Sequence, residues 1–147
     1  MYEKTLLAGW GDMDFNSHMA NTAFLAKCGD VRMLFFSEHG FPMSEFLRLK
    51  MGPVIQKDEI EYVREVQLLE QVRVTLGIAG LASDGSRWIL RNEFFRPDGK
   101  LSARVTSTGG WLDLAARRLV APPAKLLEVL GTLPRTEDFR PLETSLK

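Results

Sequence analysis

The stretch Trp10-Gly11-Asp12-Met13-Asp14-Phe15-Asn16-Ser17-His18-Met19-Ala20-Asn21 decides how the rest of the chain is read. From Asp14 to Asn21 it sets a carboxylate, an imidazole and two amides directly ahead of a long apolar segment. Asn21 and Thr22 are good helix-capping residues, so the polar groups gather at the helix end that carries free N–H groups and the positive end of the dipole. Polar chemistry is expected there.

Outward from that stretch, the spacing predicts a helix from Asn21 to about His39, with Gly40 at its C-terminal cap and Pro42 preventing continuation. Phe24, Cys28, Val31 and Phe35 share one stripe, while Leu25, Met33 and Phe36 lie well round from it at 100° per residue. A helix apolar on several faces must be enclosed. Ahead of the stretch, Tyr2 to Ala8 predicts a strand, and Gly9 to Ala20 a loop. Behind the helix, Met43 to about Lys50 predicts a second helix ending at Gly52-Pro53.

The period then changes to that of strands. Four are expected: Val54 to Val63, Val72 to Ile78, Trp88 to Phe94, and Leu101 to Trp111. Ser83-Asp84-Gly85 and Pro97-Asp98-Gly99 supply turn chemistry that joins them as antiparallel neighbours. Ala115 to Val120 reads as a loop, Pro122-Pro123 opens a last helix that Gly131 closes, and residues 132–147 read as an irregular tail. Gly77 and Gly80, inside a strand, mark a bulge or close packing rather than a phosphate cradle. The expected fold class is α+β, with about five antiparallel strands curled round one long central helix as one domain spanning 1–147.

Composition narrows the partners. The 147 residues are 45% hydrophobic, enough for one core, and nineteen basic residues balance nineteen acidic ones. With no basic block and no apolar run of membrane-spanning length, neither nucleic acid nor membrane is expected as a partner. The single cysteine cannot form an internal disulfide and Met1-Tyr2-Glu3-Lys4 lacks the layout of a secretory signal, so a cytoplasmic location is expected. Two His and one Cys without ligand spacing predict no metal, and no cofactor is expected. The chain has no Gly-x-Ser-x-Gly elbow, and Cys28 on the apolar stripe reads as packing. Asp30 and Arg32 read as an ion pair on the helix, and His39 as a residue that offsets the helix dipole.

Trp10-Gly11-Asp12-Met13-Asp14 through His18, Asn21, Phe24 and Leu25, followed by Gly29-Asp30-Val31-Arg32, resembles the signature of the hydroxybenzoyl-CoA thioesterase-like acyl-CoA thioesterases. Ser17 stands where that pattern usually has Gly, Ala20 where it has the first of two Asn, and Phe24 where Tyr is common. The resemblance implies the hot-dog fold and hydrolysis of acyl-CoA thioesters, with Asp14 as the catalytic carboxylate, acting as nucleophile or base. It also implies a homodimer or homotetramer with sites at the subunit interface, and pairing of sheet edges would relieve unpaired strands. His18, Met19, Ala20 and Asn21 are the expected substrate-binding residues, and Arg87 the strand arginine expected to meet CoA phosphates, with Arg91 and Arg96 as rivals. The backbone N–H groups of Ala20 to Thr22 are expected to polarise the thioester while the Asn21 side chain caps the helix. Asp12 is expected to face away from Asp14. Two other readings stay open: a hydratase or dehydratase using Asp14 and His18, and a non-catalytic acyl-CoA binding module.

Overall fold

The computed structural model describes residues 1–146. Its elements run β1 (Tyr2–Leu7), a 3-10 turn (Trp10–Asp12), α1 (Asn21–Glu38), α2 (Met43–Leu49), β2 (Met51–Tyr62) and β3 (Gln71–Ala82). They continue with β4 (Arg87–Phe95), β5 (Leu101–Asp113), β6 (Arg118–Val120), α3 (Ala124–Leu130) and β7 (Arg135–Leu142). The main sheet has the order β1-β3-β4-β5-β2, all antiparallel. No described helix is long and apolar enough to cross a membrane.

Alternation puts one face of each central strand on the helix. Val72, Val74, Leu76 and Ile78 of β3, Trp88, Leu90 and Phe94 of β4, and Ala103, Val105 and Trp111 of β5 are all buried. They close on Phe24, Cys28, Val31, Phe35 and Phe36 of α1, which explains why that helix is apolar on more than one side. Gly109 lets β5 pass the Trp88 ring, since a Cβ there would collide with that ring and with the Val54 carbonyl.

Three expectations are corrected. The tail is not irregular: Arg135–Leu142 forms β7, parallel to the part of β3 that β1 does not reach. Gly77 and Gly80 make this possible, the first approached by the Pro134 carbonyl and the second by Leu142, with a register shift between Ile78 and Gly80. Pro134 and Pro141 hid the strand, yet a strand paired along one side tolerates a missing N–H. The predicted loop at 115–120 contains β6, folded back on β5, so five expected strands become seven.

Arg32 is the third. Instead of pairing with Asp30, its side chain, only 5% exposed, turns into the core. Its Nε donates to Asn92 Oδ1 at 3.0 Å and its Nη2 to Ser107 Oγ at 2.8 Å, and the Ser107 hydroxyl donates to Asp58. A guanidinium buried under the helix needs such partners, because an unpaired charge there costs several kcal/mol. His39 stands at the C-terminal end of α1 as expected, its Nδ1 2.8 Å from the Phe35 carbonyl.

Candidate active site

Asp14 sits at the foot of a small hairpin. Met13 and Met19 form an antiparallel bridge, the Asp14 N–H donates to the His18 carbonyl at 2.9 Å, and Phe15, Asn16 and Ser17 make the loop. The third loop position takes the left-handed conformation in such turns. Ser17 occupies it with φ 66°, which explains why glycine suits that position. The hairpin turns the Asp14 side chain back on itself. Its Oδ1 accepts the Asn16 N–H at 2.8 Å and the His18 N–H at 3.5 Å, which leaves Oδ2 3.7 Å from His18 Nδ1.

Asp12 does face elsewhere: it ends the 3-10 turn, and the extended Met13 between the pair turns the two side chains apart. Its Oδ2 accepts the Gly9 N–H at 2.8 Å and lies 3.0 Å from Lys27 Nζ, and the Lys27 ammonium also donates to the Leu7 carbonyl at 2.9 Å. Partial burial pushes the Asp12 carboxyl up, but the Gly9 N–H and the Lys27 ammonium together bring it below the ordinary range. Asp12 therefore anchors the hairpin to the helix.

Asp14, His18, Met19, Asn21 and Phe24 line a cleft of about 340 Å³. Its other wall is Tyr62, the last residue of β2, with Val63 to Glu65 after it, and the Met19 N–H ties the walls together by donating to the Val66 carbonyl at 2.9 Å. Glu65 Oε2 lies 3.6 Å from His18 Nε2, so the imidazole stands between two carboxylates. Sequence reading missed Tyr62 to Glu65. They lie more than forty positions from Asp14, and no spacing links them to it.

Two site expectations change with the structure. The N-cap of α1 is Ala20, without a side-chain cap bond, and Asn21 is the first helical residue, so its amide borders the cleft instead of capping. Ala20 does not line the cleft, and its N–H is already committed to the Asp12 carbonyl at 2.8 Å. That leaves the N–H groups of Asn21 and Thr22 without an acceptor in the described chain. Arg87 lies apart, in a separate hollow with Lys57 and Arg140. Arg91 forks onto Asp138 and Arg96 pairs with Asp98. Burial pushes the Cys28 thiol up to about 12, which removes it as a nucleophile.

A helix sheathed by its own sheet, whose N-terminal end opens on a carboxylate and an imidazole, is the hot-dog arrangement of the thioester hydrolases. The chain belongs to the thioesterase-like superfamily, whose sequence profile matches residues 8–130. No curated protein sequence matches it. Among solved structures, a hypothetical protein from Staphylococcus aureus, in complex with CoA, superposes with a TM-score of 0.79 at 22% identity, covering 90% of this chain and 85% of that one. A 1,4-dihydroxy-2-naphthoyl-CoA thioesterase from Synechocystis gives a TM-score of 0.79 at 14% identity, over 90% and 96% of the two chains. A probable thioesterase from Escherichia coli, YbaW, gives 0.72 at 19%, over 90% and 98%. At these identities the likeness carries the fold, and the family match makes the chain a thioester hydrolase.

Proposed function

We propose that this chain hydrolyses acyl-CoA thioesters to the free acid and CoA, with Asp14 as the reacting carboxylate. The observation that carries the reading is the geometry of Asp14: one carboxylate oxygen pinned by backbone N–H groups, the other left toward His18 in a cleft at the open end of α1. With the thioester carbonyl oxygen at the Asn21 and Thr22 N–H groups, developing negative charge meets preorganised donors and the helix dipole. Asp14 Oδ2 then takes a proton from water as the water oxygen bonds the carbonyl carbon. Collapse of the tetrahedral intermediate breaks the C–S bond, and the CoA thiolate leaves and receives that proton. Direct attack by the same oxygen gives an anhydride that water opens to the same products. His18 contacts the carboxylate, and the Asn21 amide borders the substrate.

A second copy of the chain is part of this reading. β2 is an edge strand of twelve residues with no described strand on its outer side; Ile55 and Tyr62 in it are 47% and 53% exposed, Val63 just beyond it 50%, and the hairpin tip Phe15 is fully exposed beside the site. Pairing of two β2 edges would cover them and close the cleft from outside. The test is Asp14→Asn assayed by thiol release over a panel of acyl-CoAs. Turnover should fall at least about a hundredfold in a folded protein, and near-normal turnover overturns the assignment. Formation of a hydrated acyl-CoA without thiol release would favour a hydratase using Asp14 and His18.

A further inference from the structure

A second cavity, of about 180 Å³, lies further along the same seam between α1 and β2. The Asp14 cleft meets α1 at Asn21 and Phe24 and the β2 end at Tyr62; the second cavity meets α1 from Leu25 to Phe36 and β2 at Asp58, Ile55 and Pro53. Both run the same way along helix and strand. From Asn21 to Arg32 the axis rises about 16 Å, at 1.5 Å per residue over eleven residues.

The walls are apolar, with Leu25, Met33 and Ile55 among them, but the chemistry of the deep part is not. Arg32 borders the cavity and is almost wholly buried; its Nε and Nη2 are engaged with Asn92 and Ser107, and its Nη1 has no partner. Nη1 is not among the fully enclosed unpartnered atoms, and Arg32 is one of the residues that line the cavity. Buried donors are normally paired, so a guanidinium donor left over on a residue that lines a cavity points to an acceptor that arrives with a ligand. The Arg32 charge is balanced through Ser107 by Asp58, so the missing partner is an acceptor and need not be an anion.

We infer that this seam takes the acyl group of the thioester and that Arg32 is its specificity-determining residue, selecting a medium-length acyl chain with a hydroxyl or keto oxygen near its far end. This rests on the thioesterase reading given above. The apolar walls take the chain body, and the guanidinium rejects a purely alkyl end because it would lose its approach to water and gain nothing in return. Gly29 sets the width: it borders the cavity, and a Cβ built on it meets nothing within 4 Å.

The experiment compares ω-hydroxydecanoyl-CoA, decanoyl-CoA and butyryl-CoA with the full chain and with Gly29→Leu. Leu favours the helix, so this variant tests the groove without relying on a change to the buried Arg32 network. The full chain should prefer the hydroxylated chain over decanoyl by about tenfold or more in kcat/KM, the scale of one well-placed hydrogen bond to a charged group. In Gly29→Leu the ratio of ω-hydroxydecanoyl to butyryl turnover should fall at least about thirtyfold, within the range that filling a hydrophobic pocket produces. Arg32→Lys, where it folds by circular dichroism, should erase the preference for the hydroxyl. Binding of free ω-hydroxydecanoic acid by calorimetry, present in the full chain and lost in Gly29→Leu, checks the groove without any hydrolysis. If that binding holds while no acyl-CoA is cleaved, the groove stands and the reaction assigned above falls. Absence of a hydroxyl preference, an unchanged ratio in Gly29→Leu, or loss of every chain length together with a changed oligomeric state would overturn the inference, the last because a second copy would then fill the seam.

Discussion

Lys27→Met tests whether the ion pair behind the hairpin holds the Asp14 loop in place. The Lys27 ammonium is almost buried and makes two close contacts, 2.9 Å to the Leu7 carbonyl and 3.0 Å to Asp12 Oδ2. Hydrogen bonds to charged groups contribute roughly 1.5 to 3 kcal/mol each, and breaking a fully buried pair costs roughly 3 to 5. Both figures need reduction here. Asp12 is 28% exposed and keeps the Gly9 N–H, so its carboxylate stays partly solvated after the change, and Met restores apolar contact along the lysine stem. We expect a loss of about 2 to 3 kcal/mol, which for a chain of this size lowers Tm by roughly 4 to 12 °C. Adding Asp12→Asn should recover about 1 kcal/mol, because the remaining partner no longer carries an unpaired charge. The Asp12 carbonyl holds the Ala20 N–H, and Asp12 lies two residues before Asp14, so turnover of the folded variant should drop by about tenfold or more. Thermal and urea unfolding followed by circular dichroism, together with thiol-release kinetics, measure both effects. A loss below about 0.5 kcal/mol, or a double variant no more stable than Lys27→Met, would refute the argument.

Acid titration of stability should carry the same signature. The Asp12 carboxyl is depressed in the folded chain, so its contribution is fully present above about pH 4 and is lost as pH falls through the lower folded value. Lys27→Met should flatten that limb of the urea midpoint curve, and an unchanged limb would assign it to other carboxylates. Ser17→Gly removes the strain of φ 66° at the cost of a more flexible unfolded chain, and it should leave stability equal or raise it by up to about 1 kcal/mol. A clear fall in Tm would show that the Ser17 side chain matters more than its backbone. Because Asn21 makes no cap bond, Asn21→Ala should change stability by less than about 0.5 kcal/mol while lowering turnover, and equal loss of both would restore the cap. Gly109→Ala, which drives a Cβ into the Trp88 ring and the Val54 carbonyl, should cost about 3 kcal/mol or more in chemical denaturation; a variant as stable as the parent would mean that β2 and β5 can part at no cost.

What could be read from residues alone was what the chain decides within a few positions. The Asp14 hairpin is built from contacts no more than six residues apart, its turn chemistry is written in Asn16 and Ser17, and the helix behind it declares itself by period. The inward sets of β3, β4 and β5 were legible for the same reason, since alternation is a local property that the core then uses. Asp12 and Asp14 were separable in advance, although the helix partner that claims Asp12 was not. The far wall of the cleft, Tyr62 to Glu65, had no local sign. Neither did the turn of Arg32 away from Asp30 and into Asn92, Ser107 and Asp58, four positions from four elements that meet only when the sheet closes on the helix. β7 escaped because its prolines speak against a strand locally, while the unpaired stretch of β3 beyond the reach of β1 speaks for one. In each case the deciding energy comes from groups distant in sequence, a buried charge that must find partners or an open strand edge that must be paired. Such demands arise only once the chain has folded, which is why local sequence set the Asp14 hairpin and its helix while tertiary structure alone set the far wall of the cleft and the partners of the buried Arg32.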